Sequence, residues 1–120
     1  LAGSAAEGSI SVAGALENNP DPKVQDFLKK LLAKTKGKRP DNSAWYIYDV
    51  IYMLKKVIEE SGVTNKPADL KKDRVKIKDV FAKLKDYKGV SGLTSIRPDG
   101  DSDKEIFVVQ VKSGEWVVLK

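Results

Sequence analysis

The 120-residue chain contains no cysteine and no histidine. Without a thiolate or an imidazole it cannot by itself build a zinc finger, a His-bearing metal site, a Ser-His-Asp triad or a Cys-His nucleophile pair. It also lacks the one side chain whose ordinary pKa lies near neutrality, so no ready proton shuttle is present. Long apolar runs are missing as well, and none approaches the roughly 20 residues needed to span a bilayer as a helix. Residues 1–16 carry Glu7, Gly3, Gly8 and Gly14 and no basic start, which is not the pattern of a signal peptide.

What is present suits a folded, water-exposed chain: 41% hydrophobic residues, 8% aromatics and 32% charged residues. Lys and Arg number 22 against 17 Asp and Glu, a net charge of +5. The positive charges are interspersed with acidic ones rather than gathered in a stripe, so no nucleic-acid partner is expected.

Periodicity predicts an α/β chain. Residues 8–16 alternate Ile10 and Val12 with Ser9 and Ser11, as a short strand does. Asp21 and Pro22 suit the cap and first position of a helix, which Val24, Phe27, Leu28, Leu31 and Leu32 continue until Gly37. A second helix is expected over residues 44–60, apolar around most of its circumference, which calls for neighbours on several sides. A third is expected after Asp73, preceded by a short turn and closed by Gly89. Residues 90–96 read as an extended segment, 98–103 as a turn-rich loop, and 106–119 as a hairpin turning at Ser113 and Gly114. Three helices with so few strands leave the apolar middle helix short of partners within the chain.

Several patterns resemble functional sites without meeting their requirements. Asp99, Asp101 and Asp103 alternate as in a calcium loop, but Lys104 and Gln110 stand where such a loop needs Gly and Glu. Lys34, Lys36, Lys38 and Arg39 surround Gly37, yet they end a helix, where cations answer its dipole, instead of opening one around a phosphate. No metal, cofactor or catalytic residue is assigned. Ser43 and Tyr46 belong to the first turn of the second helix, whose free N–H groups favour a carboxylate.

The motifs in order are Ala6-Glu7-Gly8 before a strand, Pro40, Tyr48-Asp49 in the apolar helix, Phe81-Ala82-Lys83-Leu84 and Gly89-Val90-Ser91-Gly92. Asp99-Gly100-Asp101 and Val108-Val109-Gln110-Val111-Lys112-Ser113-Gly114-Glu115-Trp116 complete the series. Together they resemble the C-terminal third of the branched-chain amino-acid-binding protein family, the extracytoplasmic solute receptors of ABC importers. The resemblance covers nearly the whole chain.

It implies a fragment of the two-lobed type I periplasmic-binding-protein fold, with three helices, a short sheet and a C-terminal hairpin. Residues 1–17 and 105–120 would be second-lobe or hinge strands, and residues 18–104 first-lobe helices and an extended segment. The implied function is non-enzymatic: binding an amino acid or small organic acid, aromatic ones included, between two lobes for delivery to an ABC permease. The implied location is periplasmic or extracellular. A ligand-sensing receptor or an oligomerising module of the same fold is the alternative. The ligand-facing position implied by the resemblance falls on Ser43, with Asn42 and Tyr46 as neighbours. Some amino-acid-binding members carry an aromatic side chain where Ser43 stands. Asp73-Arg74 and Leu93-Thr94-Ser95 are similar to relatives that take up aromatic or other carboxylates. Alone, the chain would expose the apolar middle helix, so a homodimer or another partner contact is expected.

Overall fold

The helix starts follow from local chemistry. In the computed structural model, which describes residues 3–119, Asp21 Oδ1 accepts the backbone N–H of Lys23 at 2.9 Å and opens helix α1 (Pro22–Lys34). Asp41 Oδ1 accepts from the N–H of Ala44 at 3.0 Å and opens α2 (Asn42–Glu60). Helix α3 (Leu70–Phe81) follows a 3-10 turn at Pro67–Asp69.

The strands form two separate antiparallel sheets. Strand β1 (Ile10–Ala13) pairs with β5 (Phe107–Lys112), which pairs with β6 (Glu115–Val118). Between β1 and β5 in the sequence lie the helices and the second sheet, in which β3 (Gly92–Ile96) is flanked by β2 (Tyr87–Gly89) and β4 (Ser102–Lys104). The β5–β6 turn places Ser113 and Gly114 at φ of 54° and 80°, the two positive values that a two-residue hairpin turn requires.

Three expectations need correction. Helix α3 begins at Leu70, ahead of Asp73, and ends at Phe81, so Gly89 does not close it. Tyr87, Lys88 and Gly89 are instead a strand, held in register by Leu93 and Thr94. The turn-rich loop is shorter than its sequence suggests, because Ser102, Asp103 and Lys104 pair with β3. Leu1, Ala2 and Lys120, counted among the second-lobe strands, lie outside the described residues.

Two core clusters sit in the helical part. Val24, Phe27 and Leu28 of α1 meet Trp45 of α2 and Val90 of the β2–β3 turn, and the Phe27 ring lies 4.8 Å from that of Trp45. Met53, Leu84 and Ile96 form the second cluster. Neither draws on β1, β5 or β6. Helix α2 buries Trp45, Asp49, Met53 and Val57, one stripe at four-residue spacing, while Ile47, Ile51, Leu54 and Ile58 face outward. The expected contact on several sides is thus met on one side only by this chain. Its radius of gyration is 18.0 Å, where a compact domain of this length has about 14 Å.

Candidate functional site

The first turn of α2 lies beside the passage from β1 to α1. A groove of about 470 Å³ runs between the β1–β5–β6 sheet and this turn, lined by Val12, Leu16, Arg39, Asn42, Trp45 and Trp116 among others. Arg39 donates to Glu17 Oε2 at 2.7 Å along it, and Trp116 stays half-exposed. The groove therefore combines aromatic surface with one guanidinium, two side-chain amides and two carboxylates, a lining suited to a small polar molecule with an apolar part.

The three expected residues do not share this groove. Asn42 lines it, Ser43 is exposed outside its lining, and Tyr46 is half-buried with its hydroxyl against Gly14. Asp41 already engages the N–H of Ala44, so the helix terminus offers fewer free donors than an uncapped one. Trp116 was missed by sequence reasoning, because its place beside α2 depends on the pairing of β6 with β5. Arg39 reads in the sequence as one of the cations trailing α1, whereas the fold sets it on the groove.

A buried polar knot lies under the same turn. Asp49, 2% exposed, accepts the N–H groups of Val90 and Ser91 at 2.8 and 2.9 Å, and the Ser91 hydroxyl also donates to it. The ammonium of Lys104 donates to Ser91 Oγ at 2.7 Å and Thr94 Oγ1 at 3.1 Å, and burial pushes its pKa below the usual lysine value. A serine next to a lysine and a carboxylate has the makings of a nucleophile. Here Ser91 is fully buried and its hydroxyl proton is directed at Asp49, so no substrate reaches it. The knot holds α2 to the second sheet.

Two other sequence features are placed elsewhere. Asp73 is buried and accepts from the N–H groups of Thr64 and Asn65, shaping the loop after α2, while Arg74 lines a second hollow with Ile58, Leu70 and Ile77. Ile58 is 15 residues along α2 from Ser43, about 22 Å at the rise of an α-helix, so Asp73 and Arg74 do not join the groove. Asp99, Asp101 and Asp103 are arrayed around the guanidinium of Arg97.

The profile of the family described as periplasmic binding protein matches residues 1–115. The leucine-binding protein of Thermotoga maritima is 26% identical with a TM-score of 0.69, the match covering 98% of this chain and 31% of that one. A putative branched-chain amino-acid ABC transporter protein from Rhodospirillum rubrum gives 23% identity and a TM-score of 0.80 over 98% of this chain and 32% of that one. A solute-binding protein of an ABC transporter from Rhodopseudomonas palustris, solved with benzoate, gives 20% and 0.72 over 98% and 31%. The chain thus spans about a third of the length of these solved structures. No curated protein matches it.

Proposed function

The chain belongs to the periplasmic binding protein family, and from that premise we propose that it forms part of a solute receptor that captures an amino acid or small organic acid for an ABC permease. The carrying observation is the groove between the β1–β5–β6 sheet and the first turn of α2, which meets at the segments joining the two sheets. In this reading residues 18–104 belong to one lobe, residues 1–17 and 105–120 to the other, and the solute is held where they face each other. Asn42 supplies part of one wall, with Ser43 and Tyr46 beside it on the same helical turn. The helix N-terminus favours the carboxylate end of the solute, and the aromatic lining favours an apolar remainder. The solute stabilises the closed arrangement because it touches both lobes only there, and the permease recognises that arrangement. The place of action is the periplasm or the outer cell surface.

Titration calorimetry tests this reading. With this chain alone, neither leucine nor benzoate should bind appreciably, because one wall of a cleft offers few contacts. Expressed with whatever its gene encodes ahead of Leu1, the protein should bind one of a panel of amino acids and aromatic acids at micromolar concentration. Introducing a carboxylate by Ser43→Asp should weaken that binding at least tenfold. Micromolar binding by this chain alone, or no binding by the longer protein across the panel, would refute it.

A further inference from the structure

Tyr46 lies against the outgoing one of the two segments that join the sheets and next to the strand from which the other leaves. From β1 the chain leaves for α1 through residues 14–21, and from β4 it returns to β5 through Glu105 and Ile106. A Cβ placed on Gly14 would lie 1.9 Å from the Tyr46 hydroxyl oxygen and 2.9 Å from the ring carbon bearing it. The hydroxyl end therefore fills the space a side chain would need, and only glycine lets the outgoing segment lie so close. Lys104, the last residue of β4, holds its ammonium 5.1 Å from the centroid of the same ring. That is the distance of a cation–π contact. The ammonium is itself fixed by Ser91 and Thr94. One side chain thus meets Gly14 on the outgoing passage and Lys104 at the end of β4, the residue just before the returning one.

Tyr46 springs from a fixed stretch of α2, where Trp45 and Asp49 are both buried. The β1–β5–β6 sheet has no share in either core cluster. Asn18 Nδ2, on the outgoing segment itself, donates to the carbonyl of Trp116 at 2.9 Å and ties β6 to that segment. Two short backbone passages alone make a soft joint, since a few φ/ψ changes in each would swing the sheet. A rigid ring pressed on Gly14 and braced by Lys104 at the root of the returning passage removes much of that freedom.

We propose that Tyr46 is the pivot of this joint, a positioning residue that sets the angle between the β1–β5–β6 sheet and the helical layer through Gly14 on one side and Lys104 on the other. Its consequence for solute capture rests on the proposed receptor function: closure of the lobes turns about these passages, so the pivot sets how readily the closed arrangement forms. The angle itself does not depend on any solute.

The absence of cysteine makes the test direct. Cysteines introduced as Lys71→Cys on α3 and Lys112→Cys on β5, both at exposed positions, carry spin labels whose separation is read by pulsed dipolar spectroscopy. The parent chain should give one narrow distance distribution. Gly14→Ala has to open the contact from 1.9 Å towards the 3.4 Å of ordinary approach, so the distribution should shift from the parent's by more than the spread between repeat measurements. Adding Tyr46→Phe should move it back towards the parent, and Lys104→Met should broaden it. Where Gly14→Ala prevents folding, Tyr46→Phe alone should still broaden the distribution with helix content retained by circular dichroism. Parent-like distributions in Tyr46→Phe and Lys104→Met would overturn the pivot. Solute binding does not enter this measurement, so a receptor that binds nothing defeats the proposed function and leaves the pivot standing.

Discussion

The carboxylate of Asp49 caps the backbone of Val90, 41 residues further along the chain, accepting its N–H at 2.8 Å in a fully buried position. The same carboxylate takes the N–H of Ser91 at 2.9 Å and the hydroxyl of Ser91. Asp49→Ala leaves three buried donors without an acceptor, each costing about 1–3 kcal/mol. The expected loss is about 3 kcal/mol or more, read as a lowered urea midpoint. Asp49→Asn keeps one acceptor oxygen and should lose about half as much. A change below about 0.5 kcal/mol in the alanine variant would mean the knot opens to water at little cost.

Gly89 makes that approach possible. A Cβ there would lie 2.1 Å from one carboxylate oxygen of Asp49 and 2.5 Å from the other. Gly89→Ala should therefore push the β2–β3 turn away from α2 and cost about 1–3 kcal/mol, the range of overpacked cores. In an Asp49→Ala background the clash is gone, so the same substitution should cost much less. A double-mutant cycle measures this coupling, and additivity within about 0.5 kcal/mol would show that the two residues do not constrain each other.

These contacts explain which parts of the fold could be read from sequence. The start of α1 was legible because Asp21-Pro22 act within two residues of themselves, whereas α2, expected from residue 44, begins two residues earlier at Asn42 under the cap of Asp41. The β5–β6 hairpin was legible for the same reason, its turn residues being adjacent. Strands β2 and β4 were not. Tyr87-Lys88-Gly89 and Ser102-Asp103-Lys104 have no apolar alternation, and they are held in place by β3 and by the Asp49 knot. Asp49 itself stands as one acidic residue on an apolar helix, with no local pattern to announce that it pins a distant turn. The candidate site divides similarly: Asn42 lies in the groove, but Trp116 reaches it from 74 positions away through strand pairing.

The outward face of α2 leads to a third prediction. Ile47 and Ile51 are 61% and 59% exposed, with Leu54 and Ile58 continuing the stripe. The accessible surface of the chain is 8730 Å². A compact monomer of its mass exposes about 6,400 Å², so the excess, roughly 2,300 Å², is the scale of surface that permanent interfaces cover. Replacing Ile47 and Ile51 by lysine should leave thermal stability of this chain within about 0.5 kcal/mol, since nothing in it packs there. The same double variant should sediment as a monomer where the parent associates. In the longer receptor proposed above it should instead disrupt folding. A parent chain that stays monomeric at high concentration would remove the self-association half of this expectation, the homodimer included.

Asp21 and Lys88 should mark both ends of the pH-stability curve. Lys88 Nζ lies 2.8 Å from Asp21 Oδ2, and that contact, followed by the N–H of Lys23, holds the Asp21 carboxyl below its ordinary 3.8. Its contribution is complete above the unfolded value of 3.8 and is lost as pH falls through the lower folded value. For Lys88 the same contact raises the pKa above 10.5, so its contribution is complete below 10.5 and is lost as pH rises through the higher folded value. Asp21→Asn removes the charge on which both shifts depend and retains an oxygen to cap α1. Urea midpoints measured across the acid and alkaline limbs should therefore fall less steeply at both ends in the variant than in the parent, while the helix content at neutral pH is unchanged. Parallel curves, displaced but equal in slope, would show that the pair carries no linked protons and that Asp21 acts through the helix cap alone.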